Sequence, residues 1–409
     1  MKCRFCSSQL SNEFVDLGFS PPSNSFLEIE DLNKPEVFYP LRILVCNKCY
    51  LVQIDEFAKH SDIFNSKYVY FSSFSTSWLT HAREYVEMMI TEYNIGHNSL
   101  VAEIASNDGY LLQYFVQKKV PVLGIEPTAN TAEMAVSRGV NTIVDFFGKS
   151  LAIKLSSNGT KADLILGNNV LAHVPDINDF VGGLPILLKE KGIITFEFPH
   201  LLNLINHNQF DTIYHEHFSY LSLIIVNEIF NDNGLVIFKV QELPTHGGSL
   251  RIFATKENNL ENHPIENSVT QILEKEKVAM LHTLDGYSRF QEKAEKVKDD
   301  FIEFLLKAKK DKKSVVAYGA AAKGVTLLNF CGVRKDLLSF VVDTSPYKIG
   351  KFLPGIHIPV VEKKHIEETK PDYIVILPWN LKTEISEQLS FTRKWGAKFV
   401  TAVPELSIF

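Results

Sequence analysis

Residues 99–118, SLVAEIASNDGYLLQYFVQK, decide how this chain is read. Residues 99–105 are an apolar run of the length of a buried strand, 106–109 a turn of small and polar residues, and 110–118 carry apolar side chains at helical spacing. The same rhythm continues on the carboxyl side. PVLGIE (121–126) predicts a second strand, 129–138 a helix, NTIVD a third strand, ADLILG (162–167) a fourth and GIITFEF (192–198) a fifth. Strands alternating with helices predict a parallel sheet with right-handed crossovers. From residue 314 the pattern restarts with SVVAYGAAAKG, SFVVDTSP, YIVILPW and KFVTAVP, which predicts a second, smaller α/β unit of Rossmann type. Between the two units, a long charged helical pattern runs from about 265 to 312. On the amino side of the opening stretch, residues 77–93 predict a helix with Trp78, Leu79, Ala82, Val86 and Met89 on one face.

The amino end has a different character. Four of the five cysteines form two pairs, Cys3-x-x-Cys6 and Cys46-x-x-Cys49. A two-residue spacer turns both sulfurs of a pair toward one point, and two such knuckles complete a tetrahedral thiolate site for a structural Zn²⁺. Four thiolates leave no open coordination position, so the metal is expected to hold the head together. A redox reading lacks a thioredoxin-like strand before each CxxC. A nucleic-acid finger lacks a basic helix, since Lys2, Arg4, Arg42 and Lys48 are sparse. The chain has 409 residues, 42 Lys plus Arg against 48 Asp plus Glu and a formal charge of −6, which argues against nucleic-acid binding. No run has the length of a membrane span, and the first residues lack the apolar core of a signal peptide. A cytoplasmic monomer with no nucleic-acid and no membrane partner is expected.

The opening turn is not GxGxxG; it holds one glycine, Gly109, and offers little cradle for a pyrophosphate. Glu103, Ala105, Asn107, Asp108 and Gly109 form the first strand and its turn, and Glu126 ends the second strand, where an acid can accept hydrogen bonds from ribose hydroxyls. Asp145 and Phe146 follow the third strand, placed to bracket an adenine, and Asn168 and Asn169 end the fourth. Acids with no phosphate loop suit a cationic, phosphate-free cofactor, a description that S-adenosylmethionine meets. In the second unit, Gly319 and Lys323 of YGAAAKG sit at a strand–helix turn that favours a phosphate. His246, Gly247, Gly248 and Arg251 of HGGSLR are expected to join them on a diphosphate and its sugar, with Asp343 on a ribose or base. Tyr214, His215, Glu216 and His217 put a phenol, two imidazoles and a carboxylate in four residues, a set suited to acid–base work.

Together, the CxxC pairs, EIASNDGYLL, LGIEP, NNVLAH, YHEHFSYLS, HGGSLR, YGAAAKG and ILPWN resemble the sugar C-methyltransferases that act on nucleotide-linked 4-keto deoxysugars, in order and over essentially the whole chain. One departure is Ala105, where many members carry glycine. The resemblance implies an α/β enzyme with a small N-terminal zinc-binding domain (1–75), a central Rossmann-like class I methyltransferase sheet (76–200), a catalytic insert with a long helical connection (201–312) and a C-terminal Rossmann-like domain for the nucleotide sugar (313–409). It implies methyl transfer to C-3 of a TDP-, GDP- or UDP-linked sugar, with an O- or N-methyltransferase and a non-catalytic zinc-headed binding module as the rival readings. By the same resemblance His217 is the base, Glu216 its neighbour and partner, and Tyr214 faces the sugar. His173 lies near the transferred methyl, Tyr68 is an aromatic contributed from the end of the head, with Tyr70 as alternative, and His215 points elsewhere.

Overall fold

The computed structural model describes residues 1–57 and 71–409, so Tyr68 and Tyr70 lie outside the described residues. Three sheets organise them. In the head, β1 (Asn12–Ser20), β2 (Tyr39–Val45) and β3 (Val52–Ile54) run antiparallel. In the centre, β4 (Val101–Ile104), β5 (Val122–Ile125), β6 (Thr142–Ile143), β7 (Ala162–Asn168) and β8 (Leu188–Pro199) pair in parallel. All four residues of β4 are buried, as a strand covered by helices on both faces requires.

The stretch 201–312, expected as a catalytic insert with a long helical connection, pairs its strands with both the head and the central sheet. Its first strand, β9 (Ser219–Tyr220), returns to the head and pairs with β3, Val52 opposite Tyr220 and Gln53 opposite Ser219. Its next two, β10 (Leu235–Leu243) and β11 (Ser249–Lys256), extend the central sheet, β11 antiparallel to β8 and β10 antiparallel to β11. The physical reason is an edge: β8 alone would present unpaired N–H and C=O groups, which β11 satisfies. The charged pattern of 265–312 is likewise two helices, Asn267–Val278 and Phe290–Lys310, not one. Between them Met280 and Arg289 take left-handed φ values, and buried Tyr287 donates its hydroxyl to the Leu281 carbonyl at 2.7 Å.

The carboxyl-terminal sheet contains β12 (Val315–Tyr318), β13 (Val341–Val342), β14 (Val360–Val361), β15 (Tyr373–Ile376), β16 (Lys398–Thr401) and β17 (Ser407–Ile408). Only β17 is antiparallel to its neighbour. Phe290–Lys310 fastens this sheet to the head. Phe290 stacks on Phe14 of β1 at 4.6 Å between centroids, and Phe304 meets Tyr373 of β15 edge-on at 5.1 Å. One apolar cluster therefore runs from the head through this helix into the carboxyl-terminal sheet.

Strand order places the functional crevices. Across the central sheet it is β10-β11-β8-β7-β4-β5-β6, reversing between β7 and β4; across the last sheet it is β14-β13-β12-β15-β16-β17, reversing between β12 and β15. At such a reversal the crossovers leave to opposite faces and open a crevice beyond the strands' carboxyl ends. The second crevice needs Gly319 for close approach: its φ is +88° and a Cβ there would stand 2.5 Å from Pro378 Cδ, which follows β15. Gly319→Ala is expected to cost about 2–4 kcal/mol from backbone strain plus overpacking, read as a lower denaturant midpoint in equilibrium unfolding.

Candidate active site

The head's four thiols converge. Their sulfurs all lie within 4.8 Å of one another, with Cys3–Cys49 at 3.5 Å and Cys6–Cys46 at 3.6 Å. Tetrahedral zinc with bonds of about 2.3 Å would set its sulfurs about 3.8 Å apart, so the spacing of Cys3, Cys6, Cys46 and Cys49 fits the ion to within about 1 Å. Gln53 Nε2 approaches Cys3 Sγ at 3.2 Å and so places a donor beside the thiolate cluster.

The two crevices open into a single cavity of about 780 Å³. On the central-sheet side, Ala105, Asn107, Glu126, Asp145, Phe146, Asn168 and Asn169 all line it, as expected from the sequence. Glu126 is buried. One of its oxygens accepts the Asn107 N–H at 2.9 Å and keeps a lone pair for a hydroxyl, while the other accepts both the Thr128 N–H at 2.9 Å and the Thr128 hydroxyl. Asp145 and Phe146 stand exposed at the rim. Carboxylates, an aromatic rim and no phosphate cradle fit S-adenosylmethionine. Ala105 and Asn107 take φ of +57° and +48°, which explains why glycine suits position 105.

Three other expected ligands serve the turn instead. Glu103 is buried on β4 and does not line the cavity; burial holds its carboxyl well above the ordinary value, against the pull of the Tyr110 hydroxyl. Asp108 is enclosed by an ion pair with Arg138 at 3.0 Å and the Ser73 hydroxyl. Gly109, at φ +74°, lets the turn lie against Ala135 and Val140, 3.1–3.2 Å from where a Cβ would stand.

The expected reacting groups meet at the middle of the cavity. His173 and His217 pack edge to face with centroids 4.6 Å apart, and Tyr214 lies over His217 at 4.0 Å. His217 Nδ1 is 2.9 Å from the Thr212 carbonyl, which can only accept, so Nδ1 carries the proton and Nε2 the lone pair. Nε2 has no hydrogen-bond partner among the described residues, and His217 lines the cavity. Burial, with His173 adding to it, holds the His217 imidazole well below its ordinary pKa; burial brings His173 down to about 4. His215 turns away to the Pro40 carbonyl at 3.2 Å, as expected.

Glu216 is not paired with His217. Its carboxylate accepts from Asn24 Nδ2 at 2.7 and 2.9 Å, because Tyr214–His217 is a turn, closed by the His217 N–H on the Tyr214 carbonyl at 2.9 Å, and not the extended segment expected from the sequence. Burial raises it to about 7 while Asn24 pulls the other way.

The sugar-nucleotide assignments divide. His246 lines the cavity, 2.8 Å from Asn169 Nδ2, with burial taking it down to about 4. Lys323 also lines it, donating to Asn380 Oδ1 at 2.8 Å with its ammonium over the Trp379 ring. Arg251 does not: its guanidinium is spent on Glu197 at 2.5 and 2.7 Å and on Gln241 at 3.0 Å. Gly247 and Gly248 make room for Trp379 and Asn203, each φ positive and each Cβ position within 2.4 Å of those side chains. Asp343 holds its own loop, accepting from the Ala320 and Ser345 N–H groups at 2.7 and 2.8 Å. Sequence reasoning passed over Asn24, Trp78, His81 and Lys348, which also line the cavity. Each stands singly in an unremarkable stretch; only the helical face of Trp78 carried any signal.

Three family descriptions match the chain: a zinc binding domain over residues 3–64, a methyltransferase domain over 95–240 and a C-methyltransferase C-terminal domain over 244–404. C-methyltransferase NovU of Streptomyces niveus is 32% identical over 404 residues, 99% of this chain and 96% of that protein. Among solved structures, magnesium protoporphyrin IX methyltransferase (ChlM) from Synechocystis PCC 6803 with bound SAM is 15% identical, covering 44% of this chain and 79% of that one at a TM-score of 0.34. The CcbJ methyltransferase of Streptomyces caelestis is 10% identical, over 43% and 89%, at 0.34. With its thiol head, its central sheet and its carboxyl-terminal domain all matched in order, the chain belongs to the C-methyltransferase family and is a SAM-dependent C-methyltransferase.

Proposed function

We propose that this enzyme methylates C-3 of a nucleotide-linked 4-keto deoxysugar. The observation that carries the reading is the shared cavity: the crevices of two α/β sheets open into one space with His173, Tyr214, Glu216 and His217 between them. One crevice suits the methyl donor. The other offers Lys323 and Lys348, two cations on the cavity wall suited to a diphosphate.

S-adenosylmethionine supplies an electrophilic methyl group on sulfur. His217 Nε2 takes the C-3 proton, and the electron pair of that C–H bond moves into the enolate of the 4-keto group. Tyr214 and the protonated Glu216 carboxyl are the donors for the enolate oxygen, the larger share of the barrier reduction expected from such groups. With the methyl donor held beside Glu126, Asn168 and Asn169, its methyl carbon would pass from sulfur to C-3, the ketone would re-form, and His217 would return its proton to water. His173, packed against His217, disfavours a second positive charge there.

The decisive assay incubates the enzyme with labelled cofactor and TDP-, GDP- and UDP-linked 4-keto sugars and locates the methyl by NMR. A C–CH₃ at C-3 is expected; an O- or N-methyl product overturns the proposal, and absence of cofactor binding in calorimetry returns the binding-module reading. His217→Asn is expected to lower kcat by about 10²–10⁴-fold and to abolish cofactor-free deuterium exchange into C-3.

A second reading makes Glu216 the base, because its carboxyl lies in the cavity at about 7. The two readings differ in sign. With Glu216 as proton donor, kcat/KM falls as pH rises through about 7; with Glu216 as base it rises there.

The neutral imidazoles also mark stability. His173 and His246 sit at about 4 folded against about 6.5 unfolded, so below 6.5 the unfolded chain binds more protons and stability falls toward pH 4. Glu216, raised to about 7, acts oppositely, losing stability as pH rises from about 4.5 to 7. The His246→Asn variant is therefore expected to show a shallower loss of Tm between pH 6.5 and 4 than the wild type, measured by calorimetry.

A further inference from the structure

Arg4 lies between the two cysteines of the first knuckle, yet its side chain leaves the metal cluster and reaches both histidine-bearing segments. Nη1 donates to the Pro175 carbonyl at 2.7 Å, two residues beyond His173. Nη2 donates to the Ile54 carbonyl at the end of β3, whose N–H in turn donates to the Phe218 carbonyl at 3.1 Å. The guanidinium lies 5.3 Å from the centroid of the Phe218 ring, and Phe218 directly follows His217. The knuckle backbone reinforces both attachments. The Arg4 N–H donates to Gln53 Oε1 at 2.9 Å on the strand that pairs with β9, and Asn178 Nδ2 donates to the Phe5 carbonyl at 2.8 Å.

We propose that Arg4 is a positioning residue for methyl transfer, a strap that fixes the approach of His173 to His217 from the knuckle. Neither histidine touches the other's chain segment through a regular ladder. His173 follows β7 in a short 3-10 turn, Leu171–His173, and His217 precedes β9, which belongs to the head's sheet. A hydrogen bond of His173 with the Glu216 backbone joins the two segments at one point, and one planar, always-charged guanidinium with diverging N–H groups grips both from outside and fixes the angle of their edge-to-face packing at 4.6 Å. Arg4 touches neither ligand site: it does not line the cavity and is not one of the four thiol ligands. Its loss displaces the pair without removing a reacting atom, and misplacement by about 1 Å is enough for a fall of about 10²-fold.

The inference rests on the His173–His217 pair being the reacting centre, and the test separates the two. Arg4→Met keeps the stem and removes every donor; Arg4→Lys keeps the charge and can hold only part of the geometry. Each is compared with wild type for zinc content, calorimetric Kd of S-adenosylmethionine, kcat and KM on the 4-keto sugar, and imidazole ¹⁵N shifts. Expected for Arg4→Met are unchanged zinc stoichiometry, a cofactor Kd within about twofold, a KM within about threefold, a kcat lowered by about 10²-fold, and displaced resonances of both His173 and His217. Arg4→Lys is expected to fall between, and it carries the test if Arg4→Met does not fold. Wild-type kcat and unmoved imidazole resonances in either folded variant overturn the role, as does a fall in kcat that only tracks lost zinc or lost cofactor affinity. If wild type itself does not turn over the 4-keto sugar, the functional proposal fails while the imidazole shifts still decide whether Arg4 sets the pair.

Discussion

A parallel sheet whose strand order reverses must leave a gap where neighbouring crossovers depart to opposite faces, and that constraint governs this molecule twice. The central sheet reverses between β7 and β4, the carboxyl-terminal sheet between β12 and β15. Neither gap alone explains the other features. What matters is that the two gaps look into the same space, and most of the remaining architecture keeps them there. The helix Phe290–Lys310 binds head to second sheet through Phe290 and Phe304, and β9 binds the catalytic segment to the head. The metal-binding head is thereby a third wall and a spacer, not an appendage. Its knuckle cysteines Cys3, Cys46 and Cys49 belong to the apolar cluster that also covers the central sheet.

Much of this was legible because periodic burial leaves periodic sequence. The strand runs around Glu103, Glu126 and Asn168 were readable, and so were their carboxyl-end positions, since a buried parallel strand must be apolar along its length and must stop where polar residues begin. The cysteine spacing was equally direct. Less legible was which side chain of a polar motif faces the ligand. HGGSLR contains one cavity residue, His246, while Arg251 is absorbed by Glu197 and the two glycines by Trp379 and Asn203. Glu216 and His217 are adjacent in sequence and diverge in space, one to Asn24 and one to Thr212. Partners separated by nearly two hundred residues leave no local signal, which is why Asn24 and the reach of Arg4 went unseen.

The electrostatic plan is one of scarcity. The chain carries a formal charge of −6, so its long-range field does not gather anions. The cavity wall nonetheless carries two local cations, Lys323 and Lys348. Around the reacting centre the protein withholds charge: three imidazoles are kept neutral by burial and one carboxyl is raised into the neutral range. Burial of these groups in surroundings of low dielectric strengthens each hydrogen bond they make.

The pairing of β3 with β9 also has a temporal side. The head leaves the ribosome before both of the sheets that follow it, and its two knuckles are complete by Cys49. Its sheet is not: the fourth strand is Ser219–Tyr220, which arrives only after the whole parallel core has been made. Contacts of such sequence separation form late because the loop between them must first be closed. His217, beside that strand, is thus set in place by the step that finishes the head, so a chain cut short of it can bring its four thiols together while the far wall of the cavity is still missing.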